Sequence, residues 1–331
     1  MLTKKQIQLK IKEVDSCLLE EYKKIAKGKE KKRDYAKYEQ EFMKRIKTVI
    51  RNLEPLIYKA TINIRIYKGR GQKPKLTIQQ KLRIFLVKQL VDKSNRNMAY
   101  MLDLFCILMG IDISYKTVER LYSDIELKMA LHNLYVLLLE KKSIKEIDAC
   151  GDATGYSLIV RKHYASIVQK RKDKAKKQNK KKKHFAYQFT LMDIKSKMYV
   201  CYGMSLISEK KAFDQAMKML KEMDISIRSI RLDKYYSFPC YVNQFSGAKV
   251  YLIPRKDAKL GHGENWLRVM QSFVYDTMKH LEEYYKRNYS ENGFSVDKKL
   301  LGWKIRQKRE ERIDMAGFSN AVWHNLLQLY S

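Results

Sequence analysis

Three acidic residues stand in segments that could bring hard oxygen ligands to one place. Asp152 lies in GDATGYSLIV, Asp233 in SIRLDKYYS and Glu291 in YYKRNYSENGFSVDKK. Carboxylates that converge from separate elements can hold two divalent cations, which clamp the attacking and leaving oxygens of an in-line displacement at phosphorus. Asp152 is expected at the start of a first strand and Asp233 at the end of a fourth. Each therefore has a plain alternative as a cap or turn-former, and Asp148 competes for the first position. Tyr284, Arg287, Glu291 and Lys298 follow offsets of three, four and seven. On one helix these fall within a stripe of roughly 60°. Such a face offers a carboxylate for metal, an Arg and a Lys for phosphate, and a Tyr. The alternative is an ordinary amphipathic helix with its charges in water, or a helix broken by a turn at Asn292-Gly293.

The charge balance points to the same kind of partner. Lys and Arg number 69 against 36 Asp and Glu, a formal net charge of +33. A surplus of that size seeks a polyanion and predicts binding that weakens steeply with salt. With 331 residues and 45% apolar content, the chain is too long and too apolar for a small packing protein and has material for two or three domains. Cys17, Cys106, Cys150, Cys201 and Cys240 are scattered and odd in number, which excludes a disulfide framework or zinc pairs and fits reduced thiols. The N-terminal MLTKKQIQLKIK has no apolar signal core and no apolar run is long enough to span a membrane. A cytoplasmic, nucleoid-associated protein of a bacterium or archaeon is expected, with no membrane partner.

Three regions are expected to position these residues. In residues 1–67, apolar side chains step by three and four from Ile7 to Ile25 and from Tyr35 to Leu53, as in a helical hairpin or a dimerising coiled coil. In residues 68–143, a KGRGQKPK linker precedes helical patterns over Thr77–Val91, Ser94–Leu108 and, capped by Ser114, Tyr115–Tyr122. The short third helix after Gly110 suits a helix-turn-helix whose Lys116 and Arg120 would meet DNA, or a three-helix bundle that touches none. Leu127–Leu139 is apolar almost all round, which predicts burial. From residue 144 the pattern becomes α/β: strands at Tyr156–Val160, Phe185–Met192, Met198–Met204, Ile227–Leu232 and Lys249–Pro254, a helix over Lys210–Met223, and helix from Asn265 to Tyr330. This order, β-β-β-α-β-α-β-α, is that of a ribonuclease-H-like mixed sheet flanked by helices, preceded here by an all-α region. The stretch 161–184, which includes Arg161, Lys181 and Lys182, is a cationic loop suited to gripping phosphates without reading sequence. Arg306 and Arg309 are expected to do the same. His324, Trp266 and Trp303 read as structural.

The spacing Y-x2-R-x3-E-x6-K resembles the signature of a large group of bacterial and archaeal insertion-sequence transposases of the DDE type. GRGQKPKLT, SNRNMAYML and ISYKTVERLYSD resemble the DNA-binding region of that group, DATGYS and LDKYYS its first two acidic strands, and the stretch ending in WHNLLQLY its C-terminal end. The likeness covers about residues 68–330. It implies that Asp152, Asp233 and Glu291 form a metal triad for two Mg2+ ions, with Mn2+ able to substitute. It further implies that Tyr284 is accessory and that Arg287 and Lys298 lie on transposon-end phosphates. The partners implied are double-stranded DNA, both transposon ends and target, and a second copy of the chain or more. Some members carry a strand-rich insertion before the catalytic helix. Only about 35 residues separate Pro254 from Glu291 here, so a hairpin-end mechanism does not follow. The rival readings are a non-catalytic DNA-binding derivative and a nuclease of the same fold.

Overall fold

A computed structural model of the chain describes residues 2–18, 34–65, 75–92, 113–158 and 185–331, together with Glu20, Lys24, Met98 and Met101. Besides a single turn at Pro239–Val242, the described α-helices are α1 (Lys4–Glu13), α2 (Tyr35–Thr61), α3 (Ile78–Val91), α4 (Tyr115–Leu121), α5 (Ile125–Lys141), α6 (Glu209–Glu222), α7 (Glu264–Tyr275), α8 (Thr277–Tyr285), α9 (Asn288–Leu301) and α10 (Glu310–Leu329). The strands are β1 (Glu146–Leu158), β2 (Phe185–Asp193), β3 (Tyr199–Ser205), β4 (Ser226–Leu232), β5 (Lys249–Tyr251) and β6 (Lys304–Ile305). Several helix starts carry the caps their sequences announce: Thr77 and Gln80 form a capping box at α3, and Ser114, Asp124 and Ser208 cap α4, α5 and α6. None of the described helices is long and apolar enough to cross a membrane.

The strands form one mixed sheet in the order β3-β2-β1-β4-β5, with β6 added to β1. β2 runs antiparallel to both β1 and β3, while β4 and β6 lie parallel to β1 and β5 parallel to β4. β1 is central and longer than its alternation suggests. It begins ten residues before Tyr156, the residue with which the first strand was expected to open, so Asp152 sits mid-strand opposite Thr190. The ladder with β4 ends at Gly151↔Leu232 and that with β6 begins at Ser157↔Lys304. Asp152 therefore lies just past the end of β4, on a stretch that neither parallel neighbour covers.

Successive residues of β1 point to opposite faces. A Cβ on Gly151 would meet Leu191, Leu232 and Phe189, and Phe189 packs edge-on against Phe213 of α6. Asp152 points the other way, toward α9. On that second side α9 and α10 pack together and against the sheet. α10 is buried almost all round, from Ile313 to Leu327, because it also faces the helical region: Trp323 Nε1 donates to the Leu86 carbonyl of α3 at 3.0 Å. α5 packs on α2, α3 and α10, and the Tyr135 hydroxyl donates to the Tyr199 carbonyl of β3 at 2.6 Å. α5 buries Leu127, Ala130, Leu131, Leu134, Tyr135, Leu138 and Leu139 but leaves Lys128, Met129, His132 and Asn133 exposed, so it is buried on one face and not all round.

Three more sequence expectations change, while α1 packs against α7 and Lys256 reaches Asp15 at 3.4 Å. The stripe helix is two helices, α8 and α9, that meet at Lys286 and Arg287. Asn292-Gly293 is not a turn, because Gly293 lies inside α9 where a Cβ would press on Met192 Cε at 2.5 Å and the Tyr199 hydroxyl at 2.9 Å. Trp303 is 60% exposed, not core, whereas Trp266 is buried and donates to the Lys259 carbonyl at 2.8 Å. The turn at residues 28–33, the helix over 94–108 except Met98 and Met101, and the basic loop 161–184 lie outside the described residues.

Gly203 of β3 shows how closely α6 seats. A Cβ there would come within 2.1 Å of the Ala212 carbonyl and 2.5 Å of the Ala216 nitrogen, both backbone atoms that cannot step aside. Gly203→Ala should cost about 1–3 kcal/mol or more by overpacking. Gly155→Ala, whose Cβ would meet only Phe185 at 3.5 Å, should be neutral or slightly stabilising. Urea unfolding of the two variants checks the contrast.

Candidate active site

Three elements deliver one acid each. Asp152 projects from β1, Asp233 follows the last residue of β4, and Glu291 stands in the first turn of α9. All three reach a single atom, Nη1 of Arg287, at 3.5 Å from Asp152 Oδ2, 3.8 Å from Asp233 Oδ1 and 2.5 Å from Glu291 Oε1. Atoms that each lie within 4 Å of a third are less than 8 Å from one another. The three acids far apart in sequence are therefore neighbours in space. The break between α8 and α9 makes this possible: Arg287 is the junction residue, and its side chain turns into the cluster.

Two of the acids have a further tie. Asp152 Oδ1 accepts from the Ala153 amide at 2.8 Å. Asp233 is the N-cap of a single 3-10 turn, Lys234–Tyr236, with Oδ2 accepting from the Tyr235 amide at 3.4 Å, and its Oδ1 lies 3.5 Å from the Tyr284 hydroxyl. The cap reading and the site reading of Asp233 thus both hold. Burial pushes the Asp152 carboxyl up to about 7; the Ala153 amide and Arg287 oppose the rise, and the nearby Asp233 and Glu291 add to it. Lys298 donates to Thr154 Oγ1, and its Nζ lies 5.2 Å from the ring centres of both Tyr156 and exposed Trp303.

Asp148 is otherwise engaged. Arg228 pairs with it through two nitrogens, Ser229 donates to it, and the Arg228 hydrogen bonds hold its carboxyl down to about 2. Its side-chain partners are Arg228 and Ser229, and among the described residues no hydrogen bond or ion pair joins it to Arg287 or the other three acids.

The remaining sequence candidates are dispersed. Lys116 and Arg120 are exposed on α4, with Lys116 3.2 Å from Glu119. Arg306 pairs with Asp92 at 3.3 Å, and Arg309 lies 3.9 Å from Glu311. Arg161, Lys181 and Lys182 lie outside the described residues. Sequence reasoning missed the group that fixes α9. Asp297 accepts from the Tyr199 hydroxyl at 2.8 Å and contacts His324 Nδ1 at 2.8 Å, while His324 Nε2 meets the Lys197 carbonyl at 2.8 Å and the His324 ring stacks on Tyr199. The Trp323-His324-Asn325-Leu326 run was its only trace. Asn325 joins the same lock by bonding both backbone groups of Tyr199 at 2.8 Å.

Among the described residues no three His, Cys, Asp or Glu side chains are drawn into a ready metal-ligand group; the acids are gathered on a guanidinium. The donors are all carboxylate oxygens, the type that hard dications take, and a dication there would need Arg287 to yield its contacts.

The chain is 41% identical over 318 residues to a probable transposase for insertion sequence element ISA1214 of Archaeoglobus fulgidus, spanning 96% of this chain and 94% of that protein. No protein-family model matches the chain.

The raised Asp152 carboxyl sets a pH dependence. Its folded value of about 7 exceeds the ordinary 3.8, so the native state holds a proton that the unfolded chain releases. Its contribution to stability is full below about pH 4 and is lost as pH rises through 7. With chelator present, thermal unfolding from pH 4.5 to 8 should show wild type losing more stability than Asp152→Asn, which has no such proton. Parallel curves for the two proteins would remove this account of the cluster.

Proposed function

Because the chain belongs to the transposases of insertion sequence elements, we propose that it cleaves the ends of its element and joins them to target DNA with Asp152, Asp233 and Glu291 as the catalytic acids. The observation that carries this reading is the meeting of three carboxylates from β1, the end of β4 and α9 on one nitrogen of Arg287. A ribonuclease-H-like fold is supported by three antiparallel strands followed by two parallel ones in the order β3-β2-β1-β4-β5, with the first two acids on adjacent strands.

In this reading the three acids hold two Mg2+ ions, for which Mn2+ can substitute. Magnesium bound there supplies charge stabilisation to the attacking and leaving oxygens of phosphodiester displacement. The rest falls to side chains. Tyr284 holds Asp233 from behind. Arg287, once its carboxylates are otherwise balanced, and Lys298, anchored on Thr154, are the cations placed to bind phosphate at the cut. Water is the first nucleophile and the freed 3′-hydroxyl the second, so no covalent protein intermediate is needed. DNA is held along the basic surface, with Lys116 and Arg120 of α4 offered to the duplex and the 161–184 stretch and Arg306 and Arg309 offered to phosphates. Two ends must be handled together, which calls for a dimer or larger assembly on DNA.

Asp152→Asn, Asp233→Asn and Glu291→Gln should each abolish magnesium-dependent cleavage of an end-bearing duplex while leaving DNA binding nearly intact. Asp148→Asn should keep most activity. A gel assay that also scores joined products separates a transposase from a nuclease that only cuts; full cleavage by all three variants would end the triad assignment. Binding itself should weaken by roughly a thousandfold between 50 and 200 mM salt, measurable by fluorescence anisotropy.

A further inference from the structure

A second cluster of charge lies on the same face of the sheet, toward the start of β1. It surrounds a cleft of about 250 Å³ lined by Asp148, Arg228, Arg231, Lys249, Glu283 and Lys286. That volume is below the range of pockets for drug-sized molecules and suits a small group. Four cations face two acids, so the cleft keeps a positive surplus after its internal pairs are made. Those pairs serve to fix the cations: Arg228 on Asp148, and both Arg231 and Lys286 on Glu283.

Arg231 is the informative residue. It is 4% exposed, its Nη1 donates to Ser229 Oγ at 2.6 Å, its Nη2 donates to Glu283, and its guanidinium lies 5.1 Å from the Tyr251 ring centre. Held by Ser229 and Glu283, its guanidinium is a positive charge fixed in the cleft wall rather than one free to swing away. Exposed Lys249 supplies a further cation, which has no ion-pair partner among the described residues.

The cleft is tied to the acid cluster at two points. Asp148 and Asp152 lie on one face of β1, four residues and about 13 Å apart. Lys286 directly precedes Arg287. DNA advances about 3.4 Å per nucleotide along its axis, so a strand running past the acids would bring another phosphate to the cleft.

We propose that this cleft grips a backbone phosphate of the DNA strand being processed, two to four nucleotides from the phosphate at the acids. The proposal rests on the transposase reading above and adds a binding site to it. Phosphate contacts of this kind fix register without reading sequence. The cleft would thus set which bond lies at Asp152.

The test uses the full chain and a duplex bearing the element's terminal repeat. Methylphosphonates replace single phosphates, one position at a time, over the six nucleotides either side of the cut. Wild type should lose affinity by about tenfold at one position two to four nucleotides from the cut. Lys249→Gln and Lys286→Gln should weaken binding to unmodified DNA, lower the salt slope by about one each, and be indifferent to neutralisation at that position. Both residues lie at the cleft's rim, so neither variant depends on the fold tolerating loss of buried Arg231. Losses that simply add at every position would overturn the proposal. So would protection of wild type, and not of Lys249→Gln, by inorganic phosphate without any methylphosphonate coupling, which marks a free-anion site. Cleavage of the unmodified duplex by wild type alongside either result leaves the transposase reading standing, whereas failure to bind or cut any duplex removes both.

Discussion

Three carboxylates cannot be brought within a few ångströms of one another unless positive charge stands between them. In this protein the guanidinium of Arg287 supplies it, and much of the local architecture follows from placing that one side chain. β4 stops one residue short of Asp152, so its trailing Asp233 lies beside β1 rather than within the ladder. The helix that could have run from Thr277 to Leu301 is divided, so the junction residue points inward rather than along a wet face. Gly293 lets α9 settle onto Met192 and Tyr199, which brings Glu291 to the sheet edge. Removing either partner of the buried Asp297–His324 hydrogen bond would leave the other unsatisfied, at a cost of about 1–3 kcal/mol, so α9 has little freedom to drift from this position.

A contrast between the two acidic residues of β1 makes the same point. Asp148 and Asp152 share a strand and a face, yet their carboxyls are displaced in opposite directions. Arg228 stabilises the charge of Asp148, whereas burial among other acids works against that of Asp152. Burial and local charge balance, not residue type or strand position, separate a carboxylate held ionised from one held toward its neutral form.

Much of the sheet was legible because its strands are short apolar runs between polar turns, and the helix over 209–222 because it steps by three and four. The start of β1 was not, since Glu146, Asp148 and Cys150 disguise an alternating pattern whose second face is lined with charge. The break before α9 left no Pro or Gly to mark it, while the Asn-Gly pair that did look like a break is a packing device. β6 is two residues long and has no periodicity to read. At the site, the acids and Arg287 were visible as types and spacings. Their partners were not: whether a cation meets phosphate or carboxylate depends on elements dozens to hundreds of residues away, as does the link between Asp297 and His324. The exposure of Trp303 likewise depends on where Lys298 and β6 fall.

α10 has a consequence for how the chain comes into being. It follows all the other described elements in the chain, and it is the wedge that both the sheet and the early helices need, through Trp323 on α3, Asn325 on β3 and His324 on α9. Until it is made, α9 lacks its lock and Glu291 has no fixed address beside Asp152 and Asp233. Gene copies interrupted before this helix would give chains that carry all three acids and still cannot hold them together.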